Sequence, residues 1–320
     1  MFTIARPFLL HAVTSVHAGS GSEIGTVDLP IQREKHTGYP KIESSSLKGA
    51  LRHDLAVGIK NKPEEQEKFK WVFGSKPQEE EHDNESQASA LSFIDARILL
   101  FPVRSLRGTF AWITCRNVLE RFNREMTLLC SDKTSSVPQW PLEGVEPETT
   151  SSQAMLVGNR DKIVLEEYTM QTKQSGATQS LAERIAQSLG ADVPLGIKER
   201  LVVLTDDQFA DFVKMSTEIN ARIKVGDSGT TDRGLWYEEN VPPETVFYSA
   251  VLIGQVRESN KKGADTGEDR MGTLTTDEDV RRYVGEHFPS VFQLGGSNTI
   301  GKGILRLIWL EGGAGHDKTE

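Results

Sequence analysis

Phe8-Leu-Leu-His-Ala-Val-Thr-Ser-Val16, then a glycine-punctuated stretch, then Ser44-Ser-Ser-Leu-Lys-Gly-Ala-Leu-Arg52 is the part of the sequence that decides the fold. The first segment is apolar and β-capable and reads as a buried strand. Residues 17–43 carry no period and contain Gly19, Gly21, Gly25, Pro30, Gly38 and Pro40, the chemistry of a loop. So long a loop inside a compact domain is functional or disordered, and this one is expected to be mobile. Ser44–Ser46 supply natural N-cap residues. Leu47, Ala50, Leu51 and Leu55 then recur at helical spacing and form a buried stripe, with Lys48 and Arg52 on another face.

Working outward, Leu91–Leu100 and Thr109–Thr114 read as two strands, followed by a helix with Val118, Leu119, Phe122 and Met126 as its stripe. Strand, helix, strand, strand, helix is most of a split β-α-β unit, so the expected class is α+β. Residues 61–90 read as an acidic insertion around Gln78-Glu-Glu-Glu-His-Asp-Asn-Glu85, and 134–153 as a surface excursion. Ile163–Tyr168 and Leu201–Leu204 are short strands, and a helix capped at Asp206 or Asp207 follows. Residues 221–238 form a long hairpin with a Gly226-Asp-Ser-Gly229 tip, Thr245–Gly254 is a strand, and Thr276 starts another helix. A glycine-rich loop over 295–303 precedes a last strand, Ile304–Leu310, and the 311–320 tail is polar and frayed.

The chain has 320 residues, a net charge of −9 and two cysteines, Cys115 and Cys130. Two cysteines exclude a disulfide scaffold and a four-cysteine zinc site. No apolar run is long enough to span a bilayer, and the first residues lack a basic and then apolar leader, so the expected location is the cytoplasm. The charge is uneven. Residues 1–60 hold seven Lys/Arg against five Asp/Glu, whereas 61–90 hold four against eight. An acidic total disfavours indiscriminate nucleic-acid binding but leaves room for a locally basic contact surface.

Gly296-Ser-Asn-Thr-Ile-Gly-Lys302 fits the first seven positions of a P-loop, but Gly303 stands where a magnesium-binding Ser or Thr belongs, and a strand follows instead of a helix. An NTPase is therefore rejected. Glycine amides beside Gly301, Lys302 and Gly303 still make either an anion cradle or a tight packing turn. The start of the first helix, with Ser45, Lys48 and Arg52, is a second anion site or a simple cap. Asp28 is a turn former or a working carboxylate, and His17 a turn residue or a ligand. Tyr237 and Glu238, past the hairpin tip, either pack or face a ligand. No His/Asp/Glu spacing matches a resident metal site.

Taken together, the segments resemble the RAMP superfamily, and within it the repeated backbone subunit of the Cmr (type III-B) CRISPR effector complex. The matching stretches are His17–Glu23, Val27–Glu34, Ser45–Gly49, Ser92–Trp112, Leu235–Glu239 and Leu294–Gly303, in order along the chain. The resemblance implies a single RAMP domain over 1–320, with a ferredoxin-like (RRM-like) βαββαβ palm, large insertions and a β-hairpin thumb at 221–238. It implies partners: guide crRNA, complementary target RNA, copies of the chain head-to-tail, and other Cmr subunits, with no membrane. It also implies a metal-dependent endoribonuclease, with Asp28 and His17 catalytic and Asp28 the ligand of a divalent cation, Mg or Mn. Ser45, Lys48, Arg52 and the Gly301–Lys302–Gly303 turn would contact guide RNA, and Tyr237 and Glu238 would lie in the thumb region. Two alternatives stay open: a non-catalytic RNA-binding scaffold of the same complex, and a processor of precursor guide RNA.

Overall fold

The computed structural model describes residues 2–75, 87–129, 139–191, 196–225, 231–257, 274 and 276–310, with the side chains of 225 and 231–233 also left aside. The acidic run 78–85, the hairpin tip 226–230 and the 311–320 tail lie outside the described residues. The chain opens with β1 (Ile4–Ala12) and β2 (Lys41–Ile42), then α1 (Ser44–Gly58) and α2 (Pro63–Phe73). Strands β3 (Leu91–Phe93), β4 (Ala96–Arg104) and β5 (Phe110–Cys115) lead into α3 (Arg116–Leu129). Next come β6 (Thr149–Thr150), β7 (Lys162–Leu165), β8 (Tyr168–Gln171), β9 (Lys173–Gln174), α4 (Gly176–Leu189), α5 (Ile197–Arg200), β10 (Leu201–Leu204) and α6 (Asp206–Met215). The hairpin β11 (Glu218–Val225) and β12 (Thr231–Asn240) precedes β13 (Val246–Ile253), α7 (Asp277–His287), β14 (Val291–Gln293) and β15 (Ile304–Trp309). Among the described residues no helix is long and apolar enough to cross a membrane.

The result is a mixed α+β fold on one large sheet, ordered β14-β15-β1-β13-β4-β5-β10-β6-β9. β1 is an interior strand between β15 and β13, with Leu9 opposite both Tyr248 and Ile308. Both faces of β1 are covered, which explains its near-continuous apolar run. On one face Phe8 meets Trp309 edge-on at 5.5 Å, and Phe288, just past α7, packs against Trp309 and Phe93. On the other, Phe122 of α3 meets Tyr248 at 5.2 Å. The α1 stripe buries Leu47, Leu51 and Leu55, each worth about 1.5–3 kcal/mol when fully removed from water.

The sheet redraws the expected order. The strand beside β1 is β13, not the 109–114 strand, and β13 runs antiparallel to both β1 and β4. The helix that leads back to the last strand is α7, not α3. Everything from β5 to β12 is inserted between β4 and β13. Local patterning carried no sign of this, because the pairing joins residues more than 200 positions apart. Two further differences are local. Part of the acidic 61–90 segment is helix α2, which starts on Pro63 and buries Phe69, Val72 and Phe73. A helix not anticipated from the sequence, α4, is capped by Ser175 and buries Leu181, Ala182, Ile185 and Leu189. Within the 134–153 excursion, Trp140 is buried and stacks on Phe122.

A buried ion pair moors the end of the 17–43 loop to α3. Arg121 Nη1 donates to both carboxylate oxygens of Glu34, at 2.9 and 2.8 Å, and both residues are buried. Thr37 Oγ1 donates to Glu34 at 2.7 Å, and Arg97 stands 3.6 Å away. Burial alone would raise the Glu34 carboxyl, but the Thr37 hydroxyl and the Arg121 and Arg97 guanidinia outweigh it and hold it below the usual carboxylate range. A folded pKa below the unfolded one means stability that is full above the unfolded value and lost as pH falls through the folded value. Arg121→Met leaves the buried carboxylate with only Thr37 and the more distant Arg97, and urea denaturation at neutral pH is expected to show a loss of about 3 kcal/mol. That difference should shrink as Glu34 protonates in acid.

Candidate functional site

Residues 17–43 fold back along the base of the β11–β12 hairpin instead of standing away from it. Val16 and Val241 exchange backbone bonds at 2.9 Å, and the Glu239 amide donates to the Leu29 carbonyl at 3.0 Å. Leu29 donates in turn to the Tyr237 carbonyl at 3.1 Å. Asp28, the next residue back, is fixed by its side chain: Oδ2 accepts the Tyr237 N–H at 2.7 Å. The Asp28 carboxylate is thereby anchored through one oxygen at the root of the hairpin. Along one face of the hairpin, Ile219, Ile223, Leu235 and Tyr237 are exposed, a run of apolar surface of the kind that marks contact sites.

β12 carries two adjacent buried carboxylates, and strand geometry sends them to opposite sides. Glu238 reaches the glycine-rich loop, where Lys302 Nζ lies 2.8 Å from Oε1 and Ser297 Oγ donates to Oε2 at 3.1 Å. Arg222 of the facing strand adds a 3.5 Å contact. Burial would raise the Glu238 carboxyl; Lys302, the Ser297 hydroxyl and His17 together bring it below its usual range. Glu239 turns to the other side, where Oε2 accepts the Ile31 N–H at 3.1 Å and Oε1 takes Thr217 Oγ1 at 2.8 Å and the Arg33 guanidinium.

His17 sits between these parts and is nearly buried. Its Nδ1 lies 2.7 Å from the Glu239 carbonyl. A carbonyl only accepts, so Nδ1 carries a proton. The His17 carbonyl accepts the Gly296 N–H at 2.9 Å, and a Cβ on Gly296 would come within 2.9 Å of the imidazole ring. The loop then turns through Gly303, whose φ is +79° and whose Cβ, if present, would stand 1.9 Å from the Leu294 carbonyl. Gly303 donates to the Ser15 carbonyl at 2.8 Å. Gly301 shares the left-handed conformation, and the Lys302 ammonium is engaged by Glu238 and by Asn240 Oδ1 at 2.8 Å.

The start of α1 lies on the other side of the same loop. The N-cap is Glu43, without a side-chain cap of its own, and the serines fall inside the first turn. Asp95 Oδ1 accepts the Ser44 N–H at 2.9 Å, and Gln32 Oε1 the Glu43 N–H at 2.7 Å. Ser45 is exposed. Lys48 and Arg52 point elsewhere. Lys48 Nζ donates to Ser89 Oγ at 2.8 Å and to the Leu91 carbonyl at 3.1 Å. Burial, and then the Arg52 charge, hold its ammonium below the usual lysine range. Arg52 donates to the Gly74 carbonyl at 2.9 Å and to Phe73 at 3.3 Å, closing the C-terminal end of α2. A phosphate reaching either base would compete with these acceptors.

The structure thus joins His17, Asp28, Tyr237, Glu238 and the Gly301–Gly303 turn in one bonded assembly, with Ser45 across the loop and Lys48 and Arg52 turned away from it. Glu239, Arg33 and Gln32 were not singled out as site residues. The signal for Glu239 is the period-2 alternation of a strand base that enters the protein, legible only once β12 is known to be covered there on both faces; Gln32 and Arg33 lie in the 17–43 segment and carry no such period. Among the described residues no group of three or more His, Cys, Asp or Glu could hold a metal ion. Asp28, with one oxygen on Tyr237, does not form a cation site by itself.

The chain belongs to the RAMP superfamily, whose pattern matches residues 9–306. It is 36% identical over 306 residues, 94% of each chain, to the CRISPR system Cmr endoribonuclease Cmr4 of Pyrococcus furiosus. The crystal structure of oligomeric Cmr4 from Pyrococcus furiosus matches with a TM-score of 0.65 and 29% identity, covering 98% of this chain and 100% of the other. A subunit of the type III-B Cmr-beta complex bound to cognate target RNA, solved by cryo-electron microscopy, matches with a TM-score of 0.70 and 25% identity, over 97% and 98%.

Gly303→Ala combines a forbidden φ with a backbone collision, so it is expected to cost more than about 1 kcal/mol. Thermal unfolding should show a lowered midpoint, whereas Gly49→Ala, at a helical site with open space around it, should not.

Proposed function

We propose that this chain is the repeated backbone subunit of a type III-B RNA-guided effector complex, and that it cuts complementary target RNA beside its hairpin. The observation that carries the reading is the Asp28 carboxylate, pinned by the Tyr237 amide at the root of a hairpin with an exposed apolar face. Sequence relatedness to an endoribonuclease over 94% of both chains supports the same reaction class. We read the β15-β1-β13-β4 path, with α1 and α7, as the ferredoxin-like palm, and β11–β12 as the thumb.

In this reading the thumb wedges its apolar side chains between bases and turns a nucleotide out of the stack. A displaced nucleotide can bring its own 2′-OH in line with the adjacent phosphate, so positioning supplies much of the rate. Asp28, held through Oδ2, has Oδ1 left either to ligate a divalent cation at that phosphate, the role favoured here, or to orient the hydroxyl. His17, held through Nδ1, stands on the same bonded assembly and orients the loop. Ser45 at the α1 start and the Gly301–Gly303 turn hold guide backbone without reading sequence, which base pairing supplies. Lys48 and Arg52 serve as positive charge near that strand. A divalent cation, Mg²⁺ or Mn²⁺, would bind together with the RNA: phosphates would supply most of its ligands and Asp28 Oδ1 one, and the cation would supply charge stabilisation at the phosphate.

Copies stacked head-to-tail along the guide join unlike surfaces, so the array stays open until other subunits cap it. The test is an assembled complex carrying Asp28→Ala, given complementary RNA and Mg²⁺. Cutting at regular intervals should disappear with target binding retained, and chelation should stop the unaltered complex. Regular cutting by Asp28→Ala would make the chain a scaffold, with cleavage performed elsewhere.

A further inference from the structure

The Gln32 side chain lies where three limbs of the 17–43 segment cross. Its Oε1 accepts the Glu43 N–H at 2.7 Å, and its Nε2 donates to the Gly19 carbonyl and to Ser46 Oγ, both at 3.1 Å. Its backbone N–H donates to the Ala18 carbonyl at 2.7 Å, and its carbonyl accepts the Lys41 N–H at 3.0 Å. One residue therefore ties the outbound limb next to His17 to β2 and to the first turn of α1, with both amide hydrogens engaged.

The chemistry of the position is selective. Glu43 offers a donor, Gly19 a carbonyl acceptor and Ser46 a hydroxyl that can be either, so the group between them must both accept and donate. A primary amide does this; a carboxylate accepts only, and a leucine does neither. α1 lacks a side-chain cap of its own; Asp95 takes the Ser44 N–H, and Gln32, brought from the segment that holds Asp28 four residues earlier, takes the Glu43 N–H. A phosphate seated on Ser45 presses on the same helical turn whose neighbouring hydroxyl Gln32 holds. The neighbouring residues Arg33 and Glu34 are bonded to other elements, Glu239 and Arg121, so movement at the α1 start has its direct route to Gly19 and His17 through the amide.

We propose that Gln32 is a positioning residue that couples guide seating on α1 to the placement of the Asp28 limb. This rests on the reading above, in which Ser45 meets the guide and Asp28 the target. The experiment uses the assembled, guide-loaded complex with Gln32→Glu and Gln32→Leu, and compares target dissociation constant, single-turnover cleavage rate at saturating target, and thermal midpoint. Gln32→Glu keeps the acceptor for Glu43 and puts negative charge at a helix N-terminus, so the fold should hold. Target affinity is expected to stay within about twofold while the cleavage rate falls about tenfold to a hundredfold, the cost of misplacing a reacting group. Two results would overturn the proposal: wild-type cleavage by both variants, or cleavage that falls only in proportion to lost binding or a lost thermal midpoint. An Asp28→Ala complex run alongside separates the cases. If it still cuts, the functional reading fails; if it is inactive while both Gln32 variants cut normally, only the coupling fails.

Discussion

Two neighbouring glutamates on one strand cannot face the same way, and at the base of β12 neither has water to turn to. Glu238 and Glu239 are 5% and 6% exposed, and an ionised carboxylate so placed is tolerated only with charged or hydrogen-bonding partners. Their partners come from different regions of the chain. Lys302 and Ser297 belong to the glycine-rich loop, while Arg33 and Ile31 belong to the segment after β1 and Thr217 precedes β11. Satisfying both carboxylates draws the hairpin root, the glycine loop and the Asp28 segment together. His17 closes the arrangement by bonding Glu239 through its ring and Gly296 through its carbonyl.

The sheet supplies the platform. β1 and β15 are paired, and the loops that leave them, 17–43 after β1 and 295–303 before β15, emerge side by side. β13 lies on the other flank of β1, and the hairpin enters β13 through Asn240, Val241 and the residues after them. Three segments distant in sequence thus arrive at one edge of the fold because three adjacent strands end there. The insertion from β5 to α6 stands away from that edge and extends the sheet. Glu34, held by Arg121, is its main ionic link to the site segment.

Much of the site was legible before the fold was known, for reasons that differ by residue. The glycines of 295–303 advertised a turn, and the structure gives Gly303 a conformation that requires one. Asp28 and His17 stood out as chemistry-bearing side chains in a loop. Lys48 and Arg52 show the limit of such reasoning. Four apart at a helix start, they have the pattern of phosphate ligands, yet long flexible side chains go where acceptors are, and the nearest are Ser89, Leu91 and the end of α2. Lys302 is the intermediate case, correctly placed in the turn but paired inward with Glu238. The strand order escaped altogether, since β13 pairs with β1 through contacts that leave no local periodicity, and β5 with α3 imitated the missing half of the unit.

The Asp28 segment, the hairpin root and the glycine loop are bonded as one body. Native-state hydrogen exchange tests it through three amides: Glu239, bonded to Leu29; Gln32, bonded to Ala18; and Gly296, bonded to His17. A single body gives these amides one shared opening free energy, lowered together in Glu239→Gln, where an amide donor would face the Ile31, Thr217 and Arg33 donors. Exchange of Glu239 and Gln32 at loop-like rates while Gly296 keeps its protection would contradict the account.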